Sequence, residues 1–141
     1  MAVPRSIETR RYYCVARQRL EDGQLLFSKL QRFPAAIYLA GYAVECILKA
    51  MILANLPDSA HPAFIRQEFR GSRAHDVAAL RAILYQAGGP RFPGPVSRDL
   101  AFVSTWSVDL RYTPGKGDEE EAREFLEAVD RIVRFGEERL R

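Results

Sequence analysis

Two groups of residues have types and spacings that could do chemistry. The first is Tyr38, Tyr42, Glu45 and Lys49, which follow one another at i, i+4, i+7 and i+11. On a helix that spacing puts all four on one face. Glu45 and Lys49 form an i, i+4 pair in the favoured order, acid before base. If buried, each needs the other, because an unpaired buried charge is expensive. Arg111, further along, is a candidate third partner. Two uses fit this face. In one, Lys49 and Arg111 take a phosphate while the tyrosines take a base. In the other, the charges satisfy one another and fix helix register. The second group centres on His75, at the expected start of a helix. The positive helix end disfavours protonation there and favours anions. A neutral general base, an anion contact and a plain hydrogen-bonded or capping histidine all suit that position.

Other chemistries find no support. His61 stands beside Pro62 in an expected loop and reads as exposed. The two histidines and two cysteines fall on separate elements without ligand spacing, so no metal set is expected. Cys14 and Cys46 sit inside apolar helical patterns and read as buried free thiols in a reducing compartment. There is no Walker-type loop, no Gly-x-Gly-x-x-Gly and no serine-nucleophile elbow. No cofactor is expected.

These side chains need helices to hold them, and the hydrophobic pattern supplies helices throughout. Residues 8–32 read as a first helix, with Tyr13, Ala16, Leu20, Phe27 and Leu30 on one stripe. Gly23 falls on that stripe and either permits a close helix approach or marks a break. Pro34 opens a second helix over 34–56, apolar nearly all round and therefore the most buried. Its small residues Ala36, Ala40, Ala43, Ile47, Ala50 and Ala54 form a close-packing seam, suited to a neighbour in the bundle or to a second copy. Residues 57–73 read as a long connection with one short turn after Pro62, and connections of that length are often functional. A third helix spans 74–87, stopped by Gly88-Gly89, and a fourth spans 97–112, with Leu100, Val103, Trp106 and Leu110 inward. Asp118 and Glu121 spell a capping box for the last helix. No segment alternates like a strand.

The 141 residues are 48% hydrophobic and 28% charged, an ordinary globular balance that suits one domain over 1–141. The net charge of +3 is unevenly placed: residues 66–99 carry six arginines, whereas ten of the eighteen acids lie in 100–141. Eighteen arginines against three lysines permit bidentate phosphate binding, although a compositional habit of the genome gives the same excess. The N-terminal residues lack an apolar leader. The longest uncharged run, Phe33 to Val44, covers 12 residues, too few to span a bilayer. A cytoplasmic protein without a membrane segment is expected.

Three stretches together resemble one family. Ala36 to Ala50, containing Glu45-x-x-x-Lys49, resembles the second-helix signature of HEPN domains. His75-Asp76-Val77-Ala78-Ala79-Leu80 is similar to the start of their third helix, and Arg111-Tyr112 to the pair that closes their fourth. The resemblance spans about residues 8–140 and implies an all-α, up-and-down bundle of four to five helices, usually a homodimer. It also implies a prokaryotic toxin–antitoxin or phage-defence setting, often beside a minimal nucleotidyltransferase. Members either bind nucleotide or RNA without cutting it, or cleave RNA without metal, and the fold does not decide between them. The candidate nucleotide- or RNA-binding residues are Tyr38, Tyr42, Glu45 and Lys49 on the second helix with Arg111 and Tyr112 at the end of the fourth.

The cleaving branch uses an arginine followed four to six residues later by a histidine. Arg70-Gly-Ser-Arg-Ala-His75 has that spacing and marks Arg70 and His75 as catalytic candidates. The arginine would stabilise phosphate charge, and the histidine would serve as acid or base for attack by the RNA 2′-hydroxyl. This sequence departs from the pattern in two ways. Gly71 replaces the usual polar residue, and the motif precedes the third helix rather than the last. At the usual place stands Arg111 to Gly117, without a histidine. Nucleotide or RNA binding is therefore the leading expectation, a metal-independent endoribonuclease toxin the second, and a structural dimerisation module the third.

Overall fold

Ser6 begins the first helix by turning its hydroxyl onto the backbone N–H of Thr9 at 3.2 Å, an ordinary N-cap. The computed structural model describes residues 6–110 and 117–140, with the backbone alone for 106–110. Its helices are α1 (Ile7–Ser28), α2 (Phe33–Ala54), α3 (His61–Glu68), α4 (Val77–Gln86), α5 (Gly94–Leu110) and α6 (Glu119–Glu137). Among the described residues there is no strand, so the chain is an all-α bundle.

The central helix is α2, packed against α1, α6, α4 and α5. By composition and length it could cross a membrane. Instead, 14 of its 22 residues are buried inside the bundle. The alanine seam brings this about: Ala36, Ala40, Ala43 and Ala50 are fully buried with Ile47, and only Ala54 is exposed. Small residues on the facing helices complete the fit. A Cβ on Gly23 of α1 would stand 3.0 Å from the Ala36 carbonyl oxygen. A Cβ on Gly136 of α6 would collide with Ile47 and sit 3.2 Å from the Met51 sulfur. Gly23 thus serves close approach, and α1 runs through it unbroken.

Elsewhere the local signals act where expected, with four differences. α1 ends at Ser28, because Gln31 takes a positive φ of 52°, and Leu30 is left 64% exposed instead of joining the stripe. The connection after α2 is mostly helical: turns at Asp58–Ala60 and Ser72–His75 flank the eight-residue α3. Pro62, in the first turn of α3, lacks the N–H that this turn would leave unsatisfied. α5 starts at Gly94, three residues before the expected 97, with Pro95 in its first turn and Ser97 N–H bonded to the Pro93 carbonyl at 2.8 Å. Cys14 is exposed on α1, whereas Cys46 is partly buried on α2. The capping box on α6 forms as read, with Asp118 accepting from Glu121 N–H at 2.9 Å. Leu100 and Val103 are buried as expected, and the Trp106 and Leu110 side chains lie outside the described residues.

Candidate functional site

Glu45 and Lys49 leave α2 on the same face, and both are buried, at 6% and 7% exposure. Lys49 Nζ lies 4.0 Å from Glu45 Oε2. That is ion-pair distance, but too long for a good hydrogen bond. Among the described residues the ammonium makes no hydrogen bond. It rests instead against two rings, 5.8 Å from the centroid of Tyr12 on α1 and 5.4 Å from that of Phe69. Tyr12 and Phe69 meet edge to face at 5.7 Å, and Phe64 of α3 packs on Phe69 at 5.6 Å. α3 is therefore part of the site, because it carries Phe64 and places Phe69 as its C-cap.

The same Glu45 oxygen lies 3.2 Å from Nδ1 of His75. An ionised carboxylate only accepts, so Nδ1 carries the proton in this contact. The His75 side chain is 50% exposed, and Nε2 has no partner among the described residues. A carboxylate fixing Nδ1–H while Nε2 stays available is the arrangement an acid–base histidine requires. His75 does not cap α4. Asp76 does, accepting from the N–H groups of Ala78 and Ala79 at 2.9 and 3.2 Å. Of the roles open to His75, hydrogen bonding to a neighbour is the one it performs in this structure.

Burial also acts on the neighbours of Lys49. It pushes the Cys46 thiol up to about 11, with the nearby ammonium of Lys49 pulling the other way. The Tyr12 hydroxyl is raised above its ordinary value by burial first and then by Cys46.

The remaining candidates separate. Tyr38 and Tyr42 pair with each other, hydroxyls 3.3 Å apart and rings edge to face at 5.3 Å, with Tyr38 42% exposed. Arg70 is exposed and has no ion-pair partner among the described residues; it precedes Gly71, whose φ of 68° leads into the turn that carries His75. Arg73 pairs with Glu68 at 3.8 Å in solvent. Arg111 and Tyr112 lie outside the described residues.

His61 corrects the sequence reading, being 1% exposed rather than on the surface. Its Nδ1 lies 2.7 Å from the Ser6 hydroxyl and its Nε2 3.1 Å from the Leu56 carbonyl. With both nitrogens satisfied, it ties the start of α1 to the end of α2. Sequence reasoning also missed Tyr12 and Phe69. Neither lies on an apolar stripe that singles it out, and only tertiary packing brings them to Lys49.

A family model described as the HEPN domain matches residues 9–140. Among solved structures, the crystal structure of TT1696 from Thermus thermophilus superposes with a TM-score of 0.68 at 22% identity. The match covers 93% of this chain and 97% of that one, and at such identity it speaks to the fold alone. No curated protein matches the chain.

Proposed function

The chain belongs to the HEPN domain family, and from that premise we propose that it binds a nucleotide or RNA phosphate at the Glu45–Lys49–His75 site. One observation carries this reading: the buried Lys49 ammonium stands 4.0 Å from its carboxylate and has no hydrogen bond among the described residues. A buried charge normally gathers acceptors, because desolvation is costly without them. A phosphate oxygen would supply the missing acceptor, with His75 at the open side of the site. Tyr38 and Tyr42, on the same face of α2, offer ring faces for a base. We also carry a homodimer, a cytoplasmic setting, a toxin–antitoxin or defence context and a minimal nucleotidyltransferase partner as parts of the proposal; these rest on family habit. The alanine seam is not the dimer surface, since the bundle already buries it.

The test is thermal melting with adenosine and guanosine nucleotides. Binding to the folded state alone adds about 2.7 kcal/mol at a hundredfold excess over Kd, a readable rise in Tm. Lys49→Met should remain folded and lose the rise. A wild-type protein that no nucleotide and no oligoribonucleotide stabilises would refute the reading.

The Glu45–His75 hydrogen bond favours a second reading, metal-independent RNA cleavage with His75 as acid or base. Arg70 weakens it, since nothing among the described residues ties that side chain to His75.

A further inference from the structure

At the other end of α4 from His75, three guanidinium groups lie on a run of three aromatic rings. Arg91 stands 4.5 Å from the centroid of Tyr85, and Arg81 stands 5.6 Å from Tyr85 and 5.7 Å from Phe92. Phe92 packs on Phe135 of α6 at 5.0 Å, and Arg139 lies 3.6 Å from the Phe135 centroid. The rings are anchored: Phe92 and Phe135 are each 8% exposed. The cations are held as well. Arg81 donates to the Tyr85 hydroxyl at 3.0 Å and to the Ser97 hydroxyl at 2.7 Å, and Arg139 donates to the Phe135 carbonyl at 3.1 Å.

What this cluster lacks is counter-charge. Among the described residues Arg81 and Arg91 have no carboxylate partner, and Arg139 has only its neighbour Glu138, at 3.4 Å in solvent. The nearby Asp99 is occupied by both ends of Arg131, at 2.8 and 2.9 Å. Arg81 and Arg91 are thus held by rings and hydroxyls rather than by anions. A guanidinium set over a ring can still offer its unused N–H groups to a phosphate, and Arg91 makes no hydrogen bond among the described residues. Holding it there in advance removes part of the ordering cost of binding.

We propose that this Arg81–Arg91–Arg139 cluster is a second binding surface, for the backbone of single-stranded RNA. His75 precedes α4 and Tyr85 lies in its last turn, and the eight steps from Val77 to Tyr85 alone rise about 12 Å along the helix. One strand is long enough to reach both places. An acidic peptide also carries negative charge, but it would use only the N–H edges. Arg91, exposed and set over the Tyr85 ring, can also stack on a base, which favours a nucleic acid.

The experiment measures affinity for a labelled oligouridylate across a salt series. It compares wild type, the cluster variant Arg91→Gln/Arg139→Gln, and Lys29→Gln/Arg66→Gln, a matched loss of two charges elsewhere. Wild type should bind with a log–log salt slope that falls by about 0.7 per lost contact in the cluster variant and stays near wild type in the control. Equal slopes in both variants, no RNA binding by wild type, or displacement of the RNA by polyglutamate at matched charge would each overturn the proposal. Mononucleotide melting shifts keep it separable from the pocket. The cluster variant should retain them, and a wild type that shows the slope change without any shift would support the cluster while refuting the pocket.

Discussion

Glu45 Oε2 faces His75 Nδ1 at 3.2 Å across 30 residues of sequence, and the same atom faces Lys49 Nζ at 4.0 Å. One buried carboxylate therefore serves an ammonium and an imidazole N–H, and removing it should be felt at both. Glu45→Ala should cost about 3–5 kcal/mol in urea unfolding, because the lysine is left as a buried charge without its partner. Glu45→Ala/Lys49→Met should recover much of that loss. A double-mutant cycle with no coupling between the two positions would mean that the pair is not a unit.

Cys46 reports how dry this region is. Its thiol is pushed up to about 11 by burial, against 9.0 ordinarily. The folded state thus keeps the proton to higher pH than the unfolded chain. The associated stability is fully present below about pH 9 and is lost as pH rises through about 11, on the order of 2–3 kcal/mol in all. The difference between the stability–pH curves of wild type and Cys46→Ala isolates this group from other alkaline titrations. Thiol labelling at neutral pH should modify the exposed Cys14 and spare Cys46.

Gly136 lets α6 approach α2 closely. Gly136→Ala drives a methyl into Ile47 and should destabilise by about 1–3 kcal/mol. At Gly94, where an added Cβ meets nothing within 4 Å, alanine should be neutral or stabilising by about half a kcal/mol. Equal effects at the two positions would argue against the close helix contact.

How far the sequence reached depended on the range of the interaction. Glu45 and Lys49 sit one helical turn apart, so their pairing was legible from spacing alone, as was the Asp118–Glu121 capping box. The His75–Glu45 bond joins a turn to a helix 30 residues away, and no local pattern encodes it. The aromatic enclosure of Lys49 draws on Tyr12 and Phe69 from two further segments. His61 was misread because Pro62 signals a chain break. It is buried because Ser6 and the Leu56 carbonyl happen to meet its two nitrogens, and a histidine so satisfied is at home in a core. The seam on α2 was visible as a pattern, but spacing could not say whether a neighbouring helix or a second copy would fill it.

Because the bundle fills that seam, any dimer must use another face. Light scattering at micromolar concentration should show a dimer in wild type. Enlarging a buried seam residue, as in Ala43→Leu, should lower Tm without shifting the monomer–dimer equilibrium. A monomeric wild type would remove the homodimer from the proposal and, with it, any site shared between copies.

The last prediction separates binding from cleavage. In excess EDTA the purified protein should leave single-stranded RNA intact, because Arg70 stands exposed and nothing among the described residues aims it at a phosphate beside His75. The histidine itself is well placed. Glu45 holds its Nδ1, and Nε2 has no partner among the described residues. A general acid or base of this kind contributes about 10²–10⁴-fold to a rate, so a functioning site would be easy to detect. Products ending in a 2′,3′-cyclic phosphate, lost in His75→Ala and weakened in Arg70→Gln, would reverse the ranking. Loss in His75→Ala with Arg70→Gln unaffected would assign the phosphate contact to Lys49 instead. His75→Gln is the variant to pair with both, since its amide can keep a hydrogen bond to Glu45 but cannot carry a proton in catalysis.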